Sequence, residues 1–300
     1  MRCWPRTAIT PSYTDCNLAT KLTLLLGKEY GLRNGAARNE KLDQKGCFMQ
    51  ADRCEDRTVL RISGADRVGF LQGLVTNDIA QLDGALVYAA LLTPQGKYLA
   101  DFFLYSTDDA IMLDVKSDLA ARLVQRLSMY KLRAAVTIEP TETQVFRGID
   151  AICDGAMADP RHVDLGWRFY GDLDADPANV DWTALRVALC VPETGVELIP
   201  NDSYILEQGF ERLNGVDFKK GCYVGQEVTA RMKHKTELRK GLALVTVDGN
   251  AEIGAEITAG GKSVGQLFTQ SEQQGLAYLR FDRAGPDMTA GDATVHFSKD

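Results

Sequence analysis

The stretch Lys220-Gly221-Cys222-Tyr223-Val224-Gly225-Gln226-Glu227 decides how this 300-residue chain is read. A cysteine sits between a Lys219-Lys220-Gly221 run and an aromatic residue, and Gly225 opens a segment with the character of a helix start. The thiolate is the form of cysteine that attacks and ligates, and neighbouring cations or a helix N-terminus stabilise it. Lys219 and Lys220 thus mark Cys222 as a candidate reactive or ligating thiol. Gly221 and Gly225 free the backbone for a tight turn or for close approach to a ligand. Gln226 and Glu227 fall in the first helical turn, where Glu227 gains from the helix dipole. A bare Gly-Cys-aromatic triplet is more often a turn whose cysteine merely packs. The octapeptide carries more than the triplet.

Upstream, the apolar pattern begins near Val59. Thr58–Ser63 reads as a strand ending at Gly64, and residues 66–75 as a helix with Val68, Leu71, Leu74 and Val75 on one face. Leu86–Thr93 and Tyr98–Tyr105 flank Pro94-Gln95-Gly96-Lys97, whose Pro and Gly signal a hairpin. A strand over 110–115 precedes a helix over 117–129, capped by Ser117 and repeating Leu119, Leu123 and Leu127. Strands over 134–139 and 144–149 follow. This order, β-α-β-β-β-α-β-β, is an α+β pattern with antiparallel hairpins, not a Rossmann alternation. A looser Gly/Asp/Pro-containing stretch spans 154–181, and helices are predicted over 181–190 and 202–213. From Gly241, five short strands separated by Gly-rich turns predict a small β-barrel.

Composition narrows the function. A formal net charge of −7 argues against general binding to nucleic acid or to an anionic membrane. Residues 219–240 depart from that mean, with seven Lys/Arg against Glu227 and Glu237. Such a run is either a solvated face or an anion-binding rim beside Cys222. The seven cysteines, at 3, 16, 47, 54, 153, 190 and 222, are odd in number and contain no CxxC pair. Neither a disulfide framework nor a self-contained zinc or iron–sulfur site is written here, and no permanently bound metal is expected. A reducing compartment suits this pattern, with any cluster transient, shared with a partner, or absent. The three histidines, at 162, 234 and 296, are scattered, so a multi-His metal site or a Ser/His/Asp triad is not indicated.

The octapeptide resembles the signature of the YgfZ group, which are glycine-cleavage-T-protein-like, folate-binding proteins associated with iron–sulfur cluster assembly or repair. Further blocks are similar to that group in the same order: Phe70 to Asp78 (FLQGLVTND), Leu92 to Lys97 (LTPQGK) with Asp101 beyond it, and Tyr130-Lys131-Leu132-Arg133. The resemblance implies a T-protein-like fold, a two-part α+β body with a small C-terminal β-barrel around a central channel. The expected divisions are a poorly ordered extension over 1–48, a first α+β subdomain over 49–150, a second over 151–240 carrying the signature loop, and the barrel over 241–300. Residues 1–48 match no block. They read as an upstream start or as a mitochondrial transit peptide, with Arg2, Arg6, Lys21 and Lys28 against Asp15 in the first 28 residues.

The implied function is that of a tetrahydrofolate-binding accessory protein for iron–sulfur cluster assembly or repair, dependent on Cys222. Its partners would be assembly or carrier proteins or client iron–sulfur enzymes, and a monomer is expected. The resemblance places folate near Asp101, whose carboxylate can accept two hydrogen bonds from a pterin edge, with Arg186 and Asn77 as further contacts. Two departures from T-proteins bear on mechanism: Cys222 stands where they carry a carboxylate, and Ala100 stands beside Asp101 where they carry a second acid. A tetrahydrofolate-dependent aminomethyl or methyl transferase of the T-protein type is therefore the alternative. The compartment is the bacterial cytoplasm, or the mitochondrial matrix if residues 1–48 are a transit peptide.

Overall fold

The structure, a computed structural model, describes residues 50–150, 152, 154–234 and 237–298. The extension expected over 1–48 and Lys235 of the basic run lie outside the described residues. The first block of elements is β1 (Asp52–Arg53), β2 (Arg57–Ser63), α1 (Arg67–Gln72), β3 (Val87–Leu92), β4 (Tyr98–Ser106), β5 (Ala110–Lys116), α2 (Ser117–Lys131) and β6 (Thr137–Pro140). Strands β2 to β6 form an antiparallel sheet in the order β3-β4-β5-β2-β6.

Side chains alternate across this sheet, and each face has its own core. Leu60, Ile62, Phe102, Leu104 and Leu113 point to one face and pack with Leu119, Leu123 and Leu127 of α2. Val59, Tyr88, Phe103 and Met112 point to the other, where they meet residues from Val145 onwards. Burial on both sides explains why β3 reads as the unbroken apolar run VYAALL. Each fully buried leucine contributes about 1.5–3 kcal/mol of transfer free energy. Two local expectations fail. Val68 of α1 is exposed, while Leu71, Leu74 and Val75 are buried, because α1 ends at Gln72 before its face can repeat. The Ser117 hydroxyl does not cap α2 but pairs with the Thr58 hydroxyl at 2.8 Å.

The second sheet contains β1, β7 (Val145–Gly148), β8 (Met157–Ala158) and β9 (Trp167–Tyr170), in the order β1-β7-β9-β8. Its strands come from both sides of residue 150, so a boundary drawn there cuts through a sheet. Strands β8 and β9 lie in the stretch read as loose. Beyond them, α3 (Trp182–Ala188) matches the predicted helix, with Asp181 capping it through the Ala184 N–H at 2.9 Å. The helix predicted over 202–213 is a series of turns. Gly209 there has φ +77°, which an α-helix does not accommodate, and Asn214 closes the segment at φ +52°. Ile205, Leu206, Phe210 and Leu213 are nevertheless buried as the pattern predicts.

After α4 (Gln226–His234) come β10 (Lys240–Asp248), β11 (Ala255–Ala259), β12 (Lys262–Ser271), β13 (Gln274–Arg280), β14 (Met288–Ala290) and β15 (Ala293–His296). They close into a barrel in the order β10-β13-β12-β11-β14-β15. It has six strands rather than five, because three-residue β14 is too short to register in the pattern. No helix among the described residues is long and apolar enough to cross a membrane.

Candidate functional site

The two glycine-bearing motifs are packed on each other. Gly225 has φ +85°, and a Cβ there would lie 2.6 Å from the Thr93 carbonyl oxygen and 2.9 Å from the Leu92 Cβ. Gly96, in the β3–β4 hairpin, has φ +75°, and its Cβ would lie 2.8 Å from the Val228 Cβ in α4. Each glycine therefore removes the one atom that would hold the signature loop off the hairpin. The Val224 N–H donates to the Gly73 carbonyl at 3.2 Å, which ties the loop to the residue after α1 as well.

Lys220 fastens the same junction. The residue is 7% exposed, and its ammonium donates to the carbonyls of Gln72 (2.9 Å), Val75 (2.6 Å) and Asn77 (2.8 Å). Gln72 is the last residue of α1, where carbonyls lack partners and a cation is favoured. Burial pulls the Lys220 ammonium down to about 8, against the raising influence of Asp78 and Asp217. All three N–H donors of Lys220 are engaged with the fold, so this residue does not serve the thiol as the sequence suggested. The helix start is also four residues away, at Gln226.

Cys222 is exposed, Cys190 is half-buried and Cys54 is buried. Among the cysteines described here, only the signature thiol faces solvent freely. Gly221 beside it has nothing within 4 Å of where a Cβ would be, so the fold does not demand glycine there and the approach to the thiol stays open. Tyr223, in contrast, is buried in the core and its hydroxyl is pushed up to about 12, mainly by burial. Gln226 lines a shallow hollow with Tyr223, Phe218 and Lys233, and Glu227 is exposed in the first turn of α4, where the dipole favours it. The basic run is partly consumed, since Lys233 pairs with Glu211.

Asp101 occupies a different place. It is buried, and its Oδ1 accepts from the hydroxyls of Tyr98 (2.6 Å) and Thr194 (2.5 Å), its Oδ2 from that of Tyr88 (2.9 Å). Burial raises its carboxyl, but Thr194, Tyr98, the Arg57 charge and Tyr88 together outweigh that and hold it below the usual carboxylate range. It lines a cavity of about 80 Å³ with Arg57, Arg161, Arg168 and Arg186. The Arg186 guanidinium is engaged by Glu197 at 3.2 Å, the Val191 carbonyl and the Thr269 hydroxyl, which fastens α3 to β12. Asn77 does not reach this cavity. Its amide donates to the carbonyls of Tyr88 (2.9 Å) and Asn214 (2.7 Å), a cross-brace between distant segments. Neither Asn77 nor Cys222 lines the Asp101 cavity.

A reduced folate does not fit these residues. Pockets for molecules of that size run to roughly 300–1,000 Å³, several times the space beside Asp101. Three of the carboxylate's roughly four acceptor positions are also taken, which leaves no pair for an amino-pyrimidine edge. Larger hollows of about 400 and 410 Å³ lie elsewhere, without Asp101 or Arg186. Ala100 lines the first of these, facing α2. Alternation along β4 thus sends positions 100 and 101 to opposite faces, and an acid at 100 would not join Asp101. The sequence missed Tyr88, Tyr98, Thr194 and Glu197. Their recruitment depends on chain crossings up to 96 residues apart, which no local pattern records.

The architecture and its exposed loop thiol define a class. Over 83% of this chain and 86% of the other, the fold matches the crystal structure of the glycine cleavage system aminomethyltransferase T from Bartonella henselae, with a TM-score of 0.65 and 13% sequence identity. Residues 239–300 match the family model of the CAF17 C-terminal β-barrel domain. The protein therefore has the aminomethyltransferase-T fold with a CAF17-type barrel. Within that class the relatives are more particular. Iron–sulfur cluster assembly factor IBA57, mitochondrial, from Mus musculus is 31% identical over 78% of this chain and 77% of its own length. The Homo sapiens protein of that name is 31% identical over the same shares, and the Mycosarcoma maydis homolog is 30% identical over 77% of this chain and 64% of its own. The chain belongs to the IBA57 family. The YgfZ resemblance pointed to a related group, and IBA57 is the more specific match.

Proposed function

We propose that this protein is an accessory factor in iron–sulfur cluster assembly whose working group is the Cys222 thiol. The observation that carries the reading is the contrast within one octapeptide: Lys220, Tyr223 and Gly225 are locked into the fold, while Cys222 and Gly221 face solvent. A loop fixed at Lys220, Tyr223 and Gly225 that presents one exposed thiol suits ligation shared with another protein. No group of three or more His, Cys, Asp or Glu side chains that could hold a metal occurs among the described residues. Cys222 would supply one ligand to a cluster in transit, with the rest coming from an assembly or carrier protein or a client enzyme. The names of the IBA57 relatives support this role and support the mitochondrial matrix over the bacterial cytoplasm.

Tetrahydrofolate forms no part of this proposal, since the space of about 80 Å³ beside Asp101 is small for it. The aminomethyl-transferase alternative has the fold in its favour, but the space of about 80 Å³ beside Asp101 is small for a folate substrate. The experiment is complementation of cells lacking the protein with wild type or Cys222→Ser, read as the activity of iron–sulfur enzymes. Loss of rescue with an unchanged melting midpoint is the expected result. Full rescue by the serine variant would remove the thiol, and with it this mechanism.

A further inference from the structure

Strand β7 places Arg147 directly opposite Arg168 of β9. Like charges in register on neighbouring strands repel, so each needs an anion. Arg168 has two: Asp114 at 3.2 Å and Asp159 at 3.4 Å. The other cations around the same 80 Å³ cavity are also matched, Arg57 by Asp114, Arg161 by Asp159, Lys116 by Glu193 and Arg186 by Glu197. Arg147 forms no ion pair among the described residues, and its buried Nε has no hydrogen-bond partner. Its other cross-strand neighbour, Asp52, is turned away, accepting from the Trp182 indole N–H at 2.7 Å and the Ala178 N–H at 3.0 Å. The Trp182 ring then covers the Arg147 guanidinium at 4.1 Å. Asp56 lines the cavity without bonding to any of these cations.

A buried N–H with no acceptor is costly, and a planar guanidinium fork fits carboxylate and phosphate oxygens. Burial, with the Arg168 and Arg161 charges, holds Arg147 below the usual guanidinium range, against the favourable influence of Cys54 and Asp56. A bound anion would give the Arg147 Nε–H the acceptor that it lacks. The space of about 80 Å³ admits a few waters or one compact oxyanion, and nothing the size of a nucleotide or a pterin. We propose that this cavity binds a small oxyanion, a carboxylate or a phosphate, with Arg147 as its anchor. The site is independent of Cys222, which does not line it.

The test is isothermal titration of the full chain with sodium acetate and, separately, sodium phosphate, with chloride adjusted to keep ionic strength constant. The expected result is one-site saturation with at least one of the two, and the anion that saturates names the source. Arg147→Met should weaken that affinity at least tenfold, whereas Lys262→Met, on the exposed edge of the barrel, should leave it unchanged. Arg147→Lys retains the charge but not Nε and should also bind more weakly, which covers the case of a methionine variant that does not fold. Absence of saturation by either anion would mean that water alone satisfies Nε and would overturn the proposal. Equal affinity in wild type and Arg147→Met would do the same.

Discussion

Replacing Lys220 by methionine tests whether the signature loop is held by charge. The substitution keeps the aliphatic stem and removes three N–H donors, leaving the Gln72, Val75 and Asn77 carbonyls with no ammonium. A hydrogen bond to a charged group is worth roughly 1.5–3 kcal/mol, and an orphaned buried acceptor costs about 1–3 kcal/mol. Against that, methionine removes the cost of burying an ammonium, which is several kcal/mol for a fully enclosed ion and less for this one. The net expectation is a loss of about 2–4 kcal/mol, or roughly 5–15 °C in melting midpoint for a chain of this size. Urea melts followed by circular dichroism would measure it, with an unchanged m-value. The pH dependence carries a sign. Lys220 titrates near 8 when folded and near 10.5 when unfolded, so between those values the unfolded chain holds a proton that the native state lacks. Wild-type stability relative to the methionine variant should therefore rise with pH across that window and be flat below it. A loss under about 1 kcal/mol at neutral pH would refute the reasoning, because burial cost would then cancel the three bonds.

Gly225→Ala should destabilise by at least about 2 kcal/mol, since it adds a strained positive φ to a 2.6 Å approach to the Thr93 carbonyl. Gly221→Ala, with open space around it, should change the melting midpoint by less than about 2 °C, and comparing the two in one melt series checks both. Asp101→Asn should cost about 1–3 kcal/mol, because an amide cannot accept from the Tyr98, Thr194 and Tyr88 hydroxyls as a carboxylate does. Its folded carboxyl lies below the ordinary value, so the stability it contributes is present above about pH 4 and fades as pH falls through the folded value. An acid melt in which wild type and Asp101→Asn run parallel from pH 6 to 2 would contradict this.

Those outcomes turn on how sequence signals map onto structure in this fold. The hairpin at 93–97 and the barrel were legible because their turns need particular residues, and Gly96 and the Gly260-Gly261 pair announce positive φ. Strands β3 and β4 were legible as apolar runs, though not their burial on both faces. The segment 202–213 was misread for the converse reason: Ile205, Leu206, Phe210 and Leu213 repeat as a helix face would, and only Gly209 marks the break. Around Asp101 and Arg147, partners lie far apart in sequence, Arg168 meeting Asp114 across 54 residues and Arg57 meeting it across 57. Charge patterning along the chain cannot reveal which arginine is left without a carboxylate.

Lys220 is the sharpest instance. Beside a cysteine it reads as an activator of the thiol, yet its ammonium ties the end of α1 and the following turn to the signature loop. Three of the sequence blocks, 70–78, 92–97 and 220–227, therefore meet at one junction, joined by Lys220, by the Val224–Gly73 bond and by the Gly225–Gly96 contact. The first and last of these blocks carry candidate site residues, Asn77 and Cys222, but most of the distinctive residues in all three hold the blocks together. What the junction leaves unspent is the pair Gly221-Cys222, which the fold neither buries nor sterically requires. A chain that fixes its loop with this much hydrogen bonding, and then exposes one thiol on it, restricts where that thiol can be met. Pre-organisation of this kind lowers the ordering cost of docking a partner, which is what shared ligation of a cluster would require.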